Sequence, residues 1–323
     1  VDYLWIRAEA LQNEGRFWPH YYYGPTTSYY QPAVFRLSAD GTSRVSAAFF
    51  GGSYSSYQYG IGVAVNPSNG DVYVTGQTYN PQSYSWPWGG GGYLQSSGSG
   101  LADPFISRLN ADFSQYLNST MVPADSYYYD HGMDLALDGS GNVYVHGFTY
   151  AYSSWAGTST IGTPGSYDVF VAKFSTDLRS MYYDTRIGGS SSEPVMSYSM
   201  TSMPDYYYSQ TGDMLRVDAS GQAWFTGMTS STNYPTTAGA YQPSNAGNYD
   251  AYVSALSANG SSLVYSTYIG GSSTDGGRGI DFDSDGNVYM AGLAASTNYP
   301  VKNAEKGTNA GNYDFVRTIF APD

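Results

Sequence analysis

Imidazole is scarce in this chain of 323 residues, which holds His20, His131 and His146 and no cysteine. A catalytic histidine needs an orienting carboxylate and a group to serve. Asp130 and Asp134 flank His131, but no nucleophile stands beside it. Without cysteine there is neither thiol chemistry nor a disulfide staple. Paired carboxylates for sugar hydrolysis would have to be assembled from distant segments, and no pair stands out. Asp281-Phe-Asp-Ser-Asp-Gly286 opens like a calcium loop, whose alternating carboxylates face one ion. Gly292 occupies the place of the closing glutamate, so Asp281, Asp283 and Asp285 form a weak calcium candidate and a hairpin turn is the better reading. No catalytic residue is assigned, and no cofactor.

Composition narrows the partners. Charged residues make up 12% of the chain, about half the usual share, yet the net charge is −13. Phosphate recognition wants clusters of Lys and Arg, so nucleic acid is not an expected partner. No stretch approaches the ~18 apolar residues of a membrane helix. Polarity comes instead from Ser, Gly, Asn, Thr and 36 tyrosines, a composition that suits a surface outside the cell. Residue 1 is Val, which reads as a processed or trimmed start. Asn118-Ser-Thr120 and Asn259-Gly-Ser261 fit the glycan acceptor pattern.

The elements that would position such residues repeat. Asp71-Val-Tyr-Val-Thr-Gly76 returns as Asn142 to Gly147, Gln222 to Gly227 and Asn287 to Gly292, the closing glycines lying 71, 80 and 65 residues apart. A repeat of that length fits a small sheet with long loops. A second recurring segment, such as Asp168 to Phe174 or Asp250 to Leu256, is β-branched and aromatic and reads as a strand. A third runs into a double glycine (Leu263 to Gly271, Met181 to Gly189), and a fourth, such as Ile280 to Phe282, turns through Asp283-Ser-Asp-Gly286. Asp opens each such turn and Gly supplies positive φ. His146 stands where other copies carry Thr75, Thr226 and Ala291, and so reads as a structural variant. Arg36, Arg108 and Lys173 recur at one position, replaced by Ala255 and Thr318 in later copies, and read as solvated strand edges.

Four short antiparallel strands per unit, without helical periodicity, predict the blade of a β-propeller. The segment 250 to 292 resembles the SBBP family of bacterial β-propeller repeats, and weaker copies extend over residues 31 to 320. Thr232-Asn-Tyr-Pro235 and Asn245 to Asp250 recur as Thr297-Asn-Tyr-Pro300 and Asn309 to Asp314. The resemblance implies a secreted or surface propeller; it implies no defined activity and supplies no catalytic residues. The expectation is an all-β chain forming a single propeller of five blades, at about 1–52, 59–122, 132–189, 212–271 and 278–319, with an incomplete first or last blade.

Eighteen or nineteen strands are legible where five full blades need twenty. Tyr3-Leu4-Trp5-Ile6 is the strand that could fill the gap, within one molecule or in a neighbour, because an open sheet edge templates a foreign strand. The aromatic residues gather in the loops expected on one face: Tyr54, Tyr57 and Tyr59, Trp86 and Trp88, Tyr127, Tyr128 and Tyr129, Trp155, and Tyr206, Tyr207 and Tyr208. Such rings give large contact area with a polar handle. They would serve contact between copies, or stacking on glycans. The functional expectation is a non-enzymatic extracellular or cell-surface structural protein that self-assembles, possible glycan binding is the alternative, and a propeller hydrolase or lyase is third.

Overall fold

The computed structural model describes residues 33–49, 58–79, 102–123, 130–150, 157–193, 213–304 and 306–320. Every regular element among them is a strand, as short segments rich in Val, Tyr, Phe and Thr require. The first sheet pairs β1 (Ala33–Leu37) with β2 (Arg44–Phe49). The second runs β3 (Gln58–Val65), β4 (Val72–Tyr79), β5 (Ala102–Leu109) and β6 (Tyr116–Met121), each pairing with the next in sequence. The third holds β7 (His131–Leu137), β8 (Val143–Thr149), β9 (Ser159–Gly162), β10 (Asp168–Phe174) and β11 (Met181–Gly188), in the order β7-β8-β10-β11-β9. The fourth is β12 (Leu215–Val217), β13 (Ala223–Thr229), β14 (Asp250–Leu256) and β15 (Leu263–Ile269). The fifth stops at three strands: β16 (Asp275–Phe282), β17 (Val288–Ala294) and β18 (Asp314–Phe320).

Neighbouring strands are antiparallel throughout, with the exception of β9, which runs parallel along β11 from Ser159 opposite Thr185 to Gly162 opposite Gly188. Sequence gave no sign of β9, since four residues are too few to show a period. The strand order within each sheet is otherwise the expected one. A one-residue irregularity recurs at the inner pair, between Gly60 and Gly62, Gly132 and Asp134, and Gly277 and Gly279. Such bulges sharpen local twist.

Apolar cores lie between successive sheets. Tyr73 and Ile106 of the second sheet pack with Leu135, Val145, Phe170 and Phe174 of the third. Val169, Val171 and Ile187 of the third meet Leu215, Phe225 and Tyr252 of the fourth. Ala251, Val253 and Ile269 of the fourth meet Ile280, Val288 and Met290 of the fifth. Period-2 alternation therefore sends one set of side chains forward to the next sheet and the other back to the previous one. Each fully buried Val or Phe contributes about 1.5–3 kcal/mol, so both faces of an inner sheet are needed for its stability.

Candidate functional site

Two kinds of contact join one sheet to the next, at opposite ends of the strands. At the hairpin end, the turn between the two inner strands is organised by its first residue. Asp283 Oδ1 accepts from the amides of Asp285 and Asn287, and Oδ2 accepts from Asn287 Nδ2 and the Tyr289 hydroxyl. Asp138 and Asp218 repeat this, with Tyr144 and Trp224 in the place of Tyr289. Gly141, Gly221 and Gly286 close the turns at φ of 79°, 76° and 82°, where a Cβ is strained. Both oxygens of Asp283 are thus engaged in a turn, and Asp281 pairs with Arg216 at 3.4 Å. Among the described residues no three acidic or imidazole groups gather as metal ligands. The weak calcium candidate Asp281, Asp283 and Asp285 thus lies on a hairpin that Asp283 caps.

From these hairpins side chains reach into the following sheet. The Tyr73 hydroxyl donates to the Thr176 carbonyl at 2.7 Å, and that of Tyr144 to the Gly221 carbonyl at 3.1 Å. Arg108 pairs with Asp71 and donates to the same Thr176 carbonyl. Lys173 lies 4.7 Å from the Tyr144 ring and 3.4 Å from Asp138. Arg108 is a partly buried pin between sheets and Lys173 a partly buried cation held within its own sheet, so neither is a solvated strand edge. Their position in the last sheet is Ile319, opposite Tyr289, rather than Thr318.

At the other end, the exits of β11 and β15 are gripped by the next sheet. A Cβ on Gly270 would sit 2.5 Å from Asp250 Oδ1, and one on Gly271 2.5 Å from Asn298 Oδ1, so two glycines in a row are required. Asn298 Oδ1 accepts from the Ser272 amide and hydroxyl, and Ser296 Oγ accepts from the Ser273 amide. Asp275 completes the clasp, accepting from the Gly271 amide and from Ser296. One junction earlier, Asn233, Ser231 and Glu193 make the same bonds to Gly189, Ser190 and Ser191. The connection leaving an outer strand and the loop between the two middle strands of the next sheet therefore lie on one side, as expected.

Buried acids recur at these junctions, a pattern that sequence reading missed because the partners are 25 residues apart. Asp168 and Glu193 are fully buried and hydrogen-bonded to one another. Burial, with the Asp168 charge beside it, pushes Glu193 up to about 8. Burial likewise raises Asp250 to about 6, with Asp275 adding to it, and raises Asp134 to about 7. Asp134 serves structure: its carboxylate accepts from the amides of Leu135 and Leu215, tying the third sheet to the fourth. It does not orient His131, which stacks on Phe148 at 4.5 Å. His146 is buried against Phe225, at the position where Thr75 and Thr226 donate to the carbonyls of Phe105 and Tyr252.

Asn118 is buried and its amide donates to the Asp177 carbonyl at 2.8 Å. A glycan there is incompatible with the fold, which corrects one of the two acceptor sites. Asn259 sits exposed in the β14–β15 turn, its side-chain oxygen held by Ser257 and Ser261. The strand-exchange candidate Tyr3, Leu4, Trp5 and Ile6 and the aromatic residues Tyr54, Tyr57, Trp86, Trp88, Tyr127, Tyr128, Tyr129, Trp155, Tyr206, Tyr207 and Tyr208 lie outside the described residues, and His20 with them. Tyr59 is described by its backbone alone, in β3.

The last sheet departs from the others. Among the described residues nothing pairs with the outer edge of β18, whereas β5, β10 and β14 each carry an outer neighbour. By register, Phe315, Arg317 and Ile319 correspond to Ala251, Val253 and Ala255. The latter three are buried, while Phe315 is 93% and Ile319 47% exposed.

Residues 264–300 match the family model of the SBBP beta-propeller repeat. This chain carries an SBBP-type β-propeller repeat. The matched stretch starts in β15, crosses the Gly-Gly junction and ends in the Ser296–Pro300 loop that grips it, so the repeat unit is the joint between two sheets. Among solved structures, a europium-containing methanol dehydrogenase aligns at 9% identity and TM-score 0.30, over 82% of this chain and 62% of that one. A protein of unknown function from Bacteroides caccae aligns at 9% identity and TM-score 0.19, over 73% and 89%. The chain thus spans less than two thirds of the dehydrogenase, and likeness at these scores says nothing about activity. No curated protein matches.

Proposed function

We propose that the chain is a non-enzymatic structural propeller of five blades, displayed outside the cell or on its surface, that assembles with copies of itself. The observation that carries this reading is the last sheet, which among the described residues is three strands wide with an unpaired edge, and whose front exposes Phe315 and Ile319. Single exposed apolar residues are ordinary, but here they fall together on the face that every preceding sheet buries. An uncovered edge of this kind is a template for another chain. The tyrosine-rich loops supply a second adhesive surface. Among the described residues Asp134 and Asp283 hold backbone amides and His146 packs on Phe225, and no reaction is assigned to them. Mass photometry and negative-stain imaging of purified protein test the reading: open-ended oligomers or fibres are expected, and a strictly monomeric species at high concentration would reject it.

A further inference from the structure

The fourth sheet displays what a filled outer position looks like. There β15 is held by β14 on one side and by the loop after Pro235 on the other. Thr237 donates its amide to the Ser266 carbonyl, Tyr268 donates to the Gln242 carbonyl, and Ser266 Oγ donates to the Pro235 carbonyl. Tyr234 bonds Ser254, which bonds Ser266 in turn. The fifth sheet repeats the frame without the strand. Tyr299 bonds Thr318 at 3.1 Å, as Tyr234 bonds Ser254, and the loop after Pro300 stands in solvent with Val301 52% exposed. Among the described residues no strand lies beside β18 where the fourth sheet has β15.

Resting on the assembly reading above, we propose that a second copy of this chain docks on the last sheet and lays its residues 1–8 along β18 as the missing strand. Three observations single out this occupant. Trp5-Ile6 repeats the aromatic-isoleucine step Tyr268-Ile269 that ends β15. On the rear of the first sheet Phe35 and Leu37 are already buried, while the front of the last is bare, so the two ends of one chain are not mated to each other. Charge also permits a second copy. Residues 296–323 carry Lys302, Lys306 and Arg317 against Glu305, Asp314 and Asp323, so this end is neutral in a chain of −13. A neutral end does not repel the acidic body of the next molecule, and a head-to-tail contact of this kind extends into a filament when its rotation does not close.

The test is photo-crosslinking from the exposed front, using Phe315→p-benzoylphenylalanine and, independently, Ile319→p-benzoylphenylalanine in a mixture of isotopically light and heavy chains. Both variants are first checked for native circular dichroism. The expected result is an adduct of mixed isotope composition that maps to residues 1–8 and disappears when residues 1–8 are deleted from the partner. Adducts of single isotope composition would mean that the chain fills its own slot and would overturn the proposal. So would two-copy adducts mapping only elsewhere, β18 against β18 included, or no adduct from folded variants. Fibres without the adduct would leave assembly standing and remove this contact; a two-copy adduct without fibres would do the reverse.

Discussion

The buried acid pair between the third and fourth sheets makes stability depend on pH in a direction that an acidic chain does not advertise. Glu193 has an ordinary value of 4.5 and is raised to about 8 in the fold, first by burial and then by Asp168. A raised carboxyl means that the folded state holds the proton more tightly than the unfolded state. Its stabilisation is complete below about pH 4.5, declines as pH rises, and is gone above about pH 8. At ~1.4 kcal/mol per tenfold change in proton affinity, the ceiling for this site is on the order of 5 kcal/mol, shared with Asp168. Asp250 and Asp134, raised to about 6 and about 7, act in the same direction. For a chain of this size a melting temperature moves roughly 2 °C per kcal/mol, so a fall of roughly 5–10 °C between pH 5 and pH 8.5 is expected. Glu193→Gln keeps the shape, stays neutral, and still offers an oxygen to Gly189 or Thr229. It is expected to flatten the profile by about half while leaving the acid-side value within ~1 kcal/mol. Differential scanning fluorimetry across that range is the assay. A melting temperature that climbs with pH, or a Glu193→Gln profile as steep as the parent, would show that these acids do not hold their protons in the fold.

The remaining predictions follow from single contacts. Gly270→Ala places a Cβ against Asp250 and is expected to cost about 1–3 kcal/mol, read from urea unfolding; an unchanged midpoint would mean that the junction is looser than described. Expression in a glycosylating host is expected to modify Asn259 but not Asn118, which is buried and hydrogen-bonded; peptide mapping with a glycan on Asn118 in folded protein would contradict that placement. A chelator is expected to leave the melting temperature unchanged, because Asp283 is already satisfied by its own turn. A shift of several degrees on adding calcium back would restore the metal reading.

Much of the fold is legible in the residues because its strands are short, alternating and punctuated. Asp138, Asp218 and Asp283 mark three hairpins whose carboxylates cap the turn, and the Gly-Gly pairs mark the exits of the outer strands. What escaped the sequence is what one side chain does to another far along the chain. Arg108 and Lys173 look like surface cations until Asp71 and the Tyr144 ring are brought beside them. Nothing local says that Glu193 will face Asp168, since the pairing exists only once β10 and the junction peptide have met. Asn118 reads as a glycan acceptor by pattern alone, and only the hairpin carrying Asp177 reveals that its amide is taken. The open slot beside β18 was legible as a deficit of strands, but the bare front formed by Phe315 and Ile319 required the register with β17.

The most direct measurement is cryo-electron microscopy of the native protein, at a resolution that traces strands around β18 (Asp314–Phe320). Copies joined end to end are expected, each with a fourth strand from its neighbour seated against β18 and Phe315 covered. Isolated single rings in which β18 is paired by its own chain, with the tyrosine-rich loops facing only water, would contradict it.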